Sequence, residues 1–152
     1  MSDLQQRILD IIHKPQLASL ATGSIPSEVI EGIPARVIDI VGIAVRASTL
    51  DTSRSIVGFS TDQGTAPQST AIGASAKMST AEAAFVNGVL AHSLDYDDTH
   101  LPSILHPSAS VVPAALAAAE WVGASGSELL EAVTVGLEIA VRLGMGGYDP
   151  VD

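Results

Sequence analysis

Apolar residues spaced three and four positions apart predict five α-helices along this chain. The first begins after Ser2, whose side chain can cap a helix, and it ends near residues 14–15. The second begins around residues 25–26, but Gly32 and Pro34 indicate a bend or a later start. The apolar positions of these two helices are Leu4, Ile8, Ile11, Ile12, Val29, Ile33, Val37, Ile40, Val41 and Ala44.

The segment from Thr49 to Met78 interrupts this period with Ser, Thr, Gly and Asp. Two short apolar pieces occur in it, at residues 55–59 and 70–72. Clusters of small polar residues and glycine are typical of loops, and short apolar pieces between them are compatible with brief strands. We therefore predict a loop here, with brief strands at most.

Two capping boxes mark the starts of later helices. In residues 79–82 and 125–128 a serine is followed three positions later by a glutamate, so that each residue can satisfy a free backbone N–H of the other. The first box predicts a helix that reaches His92. The second predicts a helix that ends at the glycines of residues 144–147.

An alanine-rich helix lies between these two. It starts at Pro107 or Ser108 and ends at Gly123, with Pro113 as a candidate kink. Aromatic residues make up only 3% of the chain, whereas Ala and Gly abound, which favours helices packed closely through small side chains. We predict an all-α fold in which residues 1–152 form one helical domain, long enough to bury a core.

Composition excludes several classes of function. The formal net charge is −10 and the seven Lys and Arg residues are scattered, so the chain lacks the clustered positive charge that binds nucleic acid. Without cysteine there is no disulfide, thiolate metal site or cysteine nucleophile, and the default location is the cytoplasm. The N terminus has no hydrophobic signal core, and we expect no membrane segment.

Residues 92–100 and 105–108 combine three carboxylates, three imidazoles and several hydroxyls. Ionisable groups between apolar helices are costly unless they are paired, so we interpret this polar segment as the wall of an active site. Removing a carbon-bound proton needs a base that titrates near neutral pH, as histidine does, and His106 is the candidate. Asp95 could fix the tautomer of its ring, and the Thr99 hydroxyl could bond a substrate carboxylate.

Each of these residues has a structural alternative. His106 could merely cap a helix or bond a backbone carbonyl, Asp97 and Asp98 could be turn or cap residues, and His92 could be a satisfied core histidine. Histidine and aspartate close together could also bind zinc or iron. No fixed ligand spacing such as His-x-x-x-His occurs, and we assign no metal.

The polar segment and the residues around it carry a family resemblance. Residues 87–100 (NGVLAHSLDYDDTH), 105–109 (LHPSA) and 112–116 (VPAAL) resemble the signature of the MmgE/PrpD family. This family includes 2-methylcitrate dehydratase, cis-aconitate decarboxylase and iminodisuccinate epimerase. The resemblance implies the family's N-terminal helical part, without its α+β second domain.

The resemblance also implies an enzyme that needs neither cofactor nor metal. It would be a lyase (a dehydratase or decarboxylase) or an epimerase of small di- or tricarboxylates such as 2-methylcitrate or cis-aconitate, and it would transfer a proton next to a carboxylate. By motif position His106 is the acid or base, while Asp95 and Thr99 hold the substrate or the imidazole. We also assign Asp98 and His92 to substrate binding.

The resembling family draws on a later histidine and on lysines that lie outside this chain. An anionic substrate needs cations, which Lys14 and Lys77 supply poorly. We therefore expect a second domain, a complementary second chain or a homo-oligomer to complete the site. The alternative is a catalytically silent helical module that serves interaction or oligomerisation.

Overall fold

The computed structural model of the chain describes residues 25–63 and 66–147. Its helices are α1 (Ser27–Ile30), α2 (Ile33–Ser48), α3 (Asp51–Asp62), α4 (Thr80–His92), a 3-10 turn (Leu101–Ser103), α5 (Pro107–Val122) and α6 (Gly126–Gly147). No strand occurs in these ranges, which contain only two isolated β-bridges. The all-α fold is confirmed. The helix predicted after Ser2 lies outside the described residues, and the assignment of residues 1–152 to one domain stays a prediction.

The bend expected near Gly32 separates α1 from α2. The second helix starts at Ile33 and carries Pro34 in its first turn, where the missing N–H would have had no partner within the helix. The early proline therefore fixes a new helix start instead of kinking one long helix.

Helix α3 contradicts the loop predicted for this part of the chain. Its buried residues are Ser53 and Ser60, which lie two turns apart on one face, while Ile56 and Val57 are partly buried against the core. Because small polar side chains occupy the inward face, the sequence shows no clear apolar period there. The prediction holds for residues 66–79, which form an irregular segment with a bridge between Ser69 and Met78.

Both capping boxes start helices as predicted. At α4 the Ser79 hydroxyl accepts a hydrogen bond from the Glu82 N–H at 3.3 Å. At α6 the exchange is reciprocal, because Ser125 Oγ accepts from the Glu128 N–H at 3.3 Å and Glu128 Oε2 accepts from the Ser125 N–H at 2.7 Å. Two backbone donors that α6 cannot satisfy internally are thus paired.

Helix α5 also has the predicted limits. It begins at Pro107 and ends before Gly123, whose φ of +69° is the left-handed conformation that glycine adopts without steric cost. Pro113 lies inside the helix and does not end it.

Helix α6 runs through Gly144 and ends at Gly147, within the glycines that were predicted to end it. A β-carbon at Gly144 would lie 2.6 Å from Leu105 Cδ1 and 2.7 Å from Ser103 Cβ, and one at Gly136 would lie 2.6 Å from Val111 Cγ1. Both distances to Gly144 are well inside van der Waals contact. These glycines therefore serve the close approach of α6 to its neighbours, and Gly144 in particular faces the segment before α5.

The core consists mainly of small and β-branched side chains from α2, α4, α5 and α6. The fully buried members include Ile40, Ala47, Ala83, Val86, Leu90, Val112 and Val133. Helix α4 packs against both α2 and α5. This packing brings the C-terminal end of α4 close to the N-terminal start of α5, and residues 93–106 connect the two ends.

Candidate active site

His92, Asp97 and His106 form a cluster where α4 ends and α5 begins. His92 is the last residue of α4, and His106 immediately precedes the first residue of α5. His92 Nδ1 lies 3.1 Å from both carboxylate oxygens of Asp97, and His106 Nδ1 lies 3.4 Å from Asp97 Oδ2. The two rings meet edge to face with their centroids 5.1 Å apart. One carboxylate therefore faces two imidazoles.

The Asp97 side chain has no solvent exposure, whereas the His92 side chain is 54% exposed and that of His106 is 34% exposed. A buried carboxylate is stable as an anion only if donors surround it. In the described residues the imidazole Nδ1 atoms are the groups that face it. An N–H on His92 Nδ1 would donate to Asp97, whereas His106 Nδ1 faces the carboxylate at 3.4 Å without a hydrogen bond of good geometry; a neutral ring protonated at Nδ1 keeps a free lone pair on Nε2.

Asp95 lies beside this cluster on an unusual backbone. Its φ is +55°, a left-handed conformation that aspartate tolerates better than most residues, and its N–H bonds the His92 carbonyl at 3.1 Å. One oxygen of its exposed carboxylate lies within 4.8 Å of the ligand atoms of the other three residues. The structure thus brings together three predicted site residues, His92, Asp95 and His106, around Asp97.

Asp98 and Thr99 point to a neighbouring region. The Asp98 carboxylate accepts from the Ser108 N–H at 3.1 Å and from the Ser108 hydroxyl at 2.8 Å, and it forms an ion pair with Arg36. It therefore caps the start of α5. A cavity of about 580 Å³ is lined by Arg36, Asp98, Thr99 and His100, by apolar residues of α1 and α6, and by Thr134 and Glu138 of α6. Substrate contact by Asp98 and Thr99 stays a prediction.

Sequence reasoning missed two features of the site. Asp97 was treated as a turn or cap residue, although it is the carboxylate between the two imidazoles. Arg36 was not considered, although it is the cation beside Asp98 and Thr99. A cation 62 positions away from its partner leaves no local signal, and the five-residue spacing between His92 and Asp97 fits no regular helical neighbour pair.

Lys77 is not a free cation. Its Nζ lies 2.6 Å from Glu120 Oε1, and Glu120 also accepts hydrogen bonds from the Thr70 N–H and hydroxyl. Lys77 therefore holds the irregular segment 66–79 against α5, and Arg36 is the cation next to the predicted site residues.

The described residues thus define a class of protein, a helical domain with a buried carboxylate between two imidazoles. The chain belongs to the MmgE/PrpD N-terminal domain family, which matches residues 16–148. It is 49% identical to cis-aconitate decarboxylase of Homo sapiens and 48% identical to that of Mus musculus, each over 65 residues. That stretch is 40% of this chain and 13% of each relative. No solved structure matches the chain.

Two further findings concern the described helices and the length of the relatives. None of the described helices is long and apolar enough to cross a membrane. The curated relatives are much longer than the stretch they share with this chain, which spans about an eighth of their length. The resemblance seen in residues 87–116 therefore reflects membership of the family.

Proposed function

We propose that this chain provides the helical part of the active site of a lyase (a dehydratase or decarboxylase) or an epimerase. Its substrates would be small di- or tricarboxylates such as 2-methylcitrate or cis-aconitate, and a second domain or chain would complete it. The similarity to two cis-aconitate decarboxylases supports the lyase class. A cytoplasmic location belongs to this proposal and is supported only by the lack of cysteine.

The observation that carries the proposal is the buried Asp97 carboxylate between His92 and His106. With an N–H on His106 Nδ1 directed at Asp97, the lone pair of Nε2 is the basic position of the ring. Nε2 can remove a proton from a carbon next to a substrate carboxylate, and the imidazolium formed is then stabilised by the Asp97 anion. The same imidazolium can return the proton to the product.

His106 is the better base of the two histidines. Its Nδ1 is buried, so the exposed part of the ring lies away from Asp97 and toward a reactant. His92 has more of its ring exposed and lies closer to Asp97, which suits a substrate-binding or second positioning role. Thr99 and Arg36, whose charge is paired with Asp98, line the neighbouring cavity, where a hydroxyl and the remaining guanidinium N–H groups can bond a substrate carboxylate.

The experiment follows hydrogen exchange by proton NMR in heavy water. The protein is used as isolated from its source, with any chain that co-purifies, and it is incubated with 2-methylcitrate, citrate, cis-aconitate or iminodisuccinate. We expect loss of substrate C–H signal or turnover with one of them, and a fall of about 100-fold or more in His106→Ala. Leu101→Ala, an exposed substitution in the same connection, should leave the rate unchanged.

Two outcomes would contradict the proposal. One is that the folded protein exchanges or converts none of these substrates. The other is that His106→Ala keeps the full rate while circular dichroism shows that both variants are folded.

A second candidate function, self-association through an apolar surface, is favoured by a groove between α3 and α4. Phe59 is 58% exposed and Phe85 53% exposed, and Ile56, Phe59 and Val89 line the groove. Sedimentation velocity tests it. A concentration-dependent dimer that Phe59→Ser weakens would support a role in oligomerisation, whereas a monomer at all concentrations would exclude it for this surface.

A further inference from the structure

We propose that His92, Asp95, Asp97 and His106 bind a zinc ion, and that zinc binding switches off the imidazole base. The binding site is inferred from the geometry alone. Its inhibitory effect rests on the proposed function, in which one of these imidazoles transfers a proton.

The distances among the donor atoms suit a small transition-metal ion. A tetrahedral zinc ion with ligands at about 2.1 Å holds its donors about 3.4 Å apart. His92 Nδ1 lies 3.1 Å from Asp97 Oδ1, and His106 Nδ1 lies 3.4 Å from Asp97 Oδ2. All four ligand atoms lie within 4.8 Å of one another. Closing the shell requires rotations of the exposed His92 and Asp95 side chains that bring the widest donor pairs, which lie within 4.8 Å, to about 3.4 Å.

An independent observation comes from His106. Its Nδ1 is buried and has no hydrogen-bond partner of good geometry, although the Asp97 carboxylate faces it at 3.4 Å. A buried nitrogen without a close partner costs free energy. A metal ion between this nitrogen and Asp97 would bind both groups at once. Its positive charge would also compensate the negative charge of the buried Asp97 carboxylate.

The donor types favour a transition-metal ion such as zinc over magnesium or calcium. Two imidazoles and two carboxylates suit zinc, whereas magnesium and calcium prefer shells made of oxygen alone. The chain has no cysteine, so no thiolate site competes for zinc within it. In the described residues the ion pairs of Asp97 are with histidines and not with Lys or Arg, and zinc therefore has no fixed cation to displace from that carboxylate.

Zinc binding and base catalysis require opposite tautomers of the same rings. In the base, Nδ1 carries the proton and Nε2 carries the lone pair. Zinc binds through the lone pair of Nδ1, so the proton of each neutral ring leaves Nδ1 for water and another proton from water binds Nε2. The ring stays neutral, but Nε2 is then an N–H group and can no longer accept a proton from a substrate.

The test follows the four histidines of the protein by long-range proton–nitrogen NMR after labelling with ¹⁵N-histidine, during titration with zinc chloride. We expect the signals of His92 and His106 to change from the Nδ1–H to the Nε2–H tautomer, with saturation at one equivalent of zinc. Asp97→Asn should weaken binding by about 10-fold to 100-fold. His100→Gln, outside the cluster, should leave the affinity unchanged.

Several results would overturn the inference. One is that His92 and His106 keep the Nδ1–H tautomer at saturating zinc. Another is that Asp97→Asn, shown to be folded by circular dichroism, binds zinc as tightly as the unaltered protein. Binding at other histidines only would overturn it as well.

Failure of the inference and failure of the proposed function are distinguishable. In one outcome the protein exchanges substrate hydrogen, but zinc neither inhibits this exchange nor changes the tautomers of His92 and His106. This outcome would overturn the zinc site and leave the proposed enzyme activity intact. In the other outcome zinc changes the tautomers of His92 and His106, but the protein never exchanges substrate hydrogen. This outcome would confirm the zinc site and exclude both the proposed function and the inhibitory effect.

Discussion

At the scale of single residues, Asp97 decides how the site is arranged. Its side chain is inaccessible to solvent, and both of its oxygens face imidazole nitrogens. An uncompensated buried carboxylate would destabilise the fold, so the two histidines contribute to stability as well as to the proposed chemistry. Asp98, its neighbour in sequence, has a different task, because it caps α5 through Ser108.

The first prediction concerns the charge of Asp97. We expect Asp97→Asn to lower the free energy of unfolding by about 1–3 kcal/mol, because an amide replaces a buried carboxylate that faces two imidazole nitrogens. Urea unfolding followed by circular dichroism measures the change. Asp95→Asn is the matched control: Asp95 is exposed and asparagine tolerates its left-handed backbone, so its effect should stay within about 0.5 kcal/mol. Equal effects of the two substitutions would show that Asp97 is not stabilised by the histidines.

At the scale of helices and connections, the site depends on the close approach of α6 to residues 101–106. Gly144 permits this approach, since any side chain there would collide with Ser103 and Leu105. Residues 101–106 in turn end at His106, so the packing of α6 helps to place the proposed base. Glycine inside a helix is usually unfavourable, and close packing explains its presence here.

The second prediction compares two glycines within helices. Gly144→Ala should destabilise the protein by about 1–3 kcal/mol because the added methyl overpacks the contact with Ser103 and Leu105. Gly58→Ala, where no atom lies within 4 Å of the added β-carbon, should instead stabilise it by about 0.5–1 kcal/mol. Thermal unfolding of both variants measures the difference. If Gly144→Ala were also stabilising, the close approach would not exist in solution.

The third prediction concerns the attachment of the irregular segment 66–79 to α5. The hydrogen bond from Lys77, followed by that from the Thr70 N–H, lowers the pKa of Glu120 below its ordinary value of 4.5. A carboxyl group with a lowered pKa in the folded state stabilises the fold above its unfolded pKa, and this contribution is lost as the pH falls through the folded pKa.

Glu120→Gln should therefore lower the free energy of unfolding by about 1 kcal/mol at pH 7, a value that allows for partial exposure of the side chain. The difference from the unaltered protein should shrink as the pH is lowered below 4.5. Urea unfolding at a series of pH values measures it, with the exposed Glu131→Gln as control. A difference that grows toward acid pH would contradict the assigned hydrogen bonds.

The helices also show which structural features could be predicted from the sequence. Ser79 with Glu82 and Ser125 with Glu128 identified two helix starts, because capping depends on residues only three positions apart. Helix α3 was missed since Ser53 and Ser60 hide its buried face, and the close approach at Gly144 was missed because its contacts are with distant residues.

At the scale of the whole molecule, the acidic charge is only partly compensated. The formal net charge is −10. In the described residues Arg36, Arg54, Lys77 and Arg142 each lie in an ion pair with a carboxylate, which leaves many acidic groups without a basic partner. Mutual repulsion among the remaining carboxylates opposes the compact state, and salt screens repulsion over long distances.

The fourth prediction is that added salt stabilises the protein. Raising sodium chloride from about 0.01 M to about 0.15 M shortens the screening length from about 30 Å to about 8 Å, and we expect the Tm to rise by about 2–4 °C. Differential scanning calorimetry measures the Tm, and potassium chloride should act in the same way as sodium chloride. A fall in Tm would mean that the ion pairs outweigh the repulsion.

The sequence by itself determined the helical class, most helix starts, the family and the polar segment that contains His92, Asp95 and His106. These properties depend on residue types at short spacing, which local hydrogen bonding and helical periodicity translate directly into structure. Only the tertiary structure decided that Asp97 lies between the two imidazoles, that Asp98 caps α5 beside Arg36, and that α6 passes close enough to require Gly144. The residues in these contacts belong to different helices and connections. The contacts therefore arise from the packing of α2, α4, α5 and α6 and not from any local pattern.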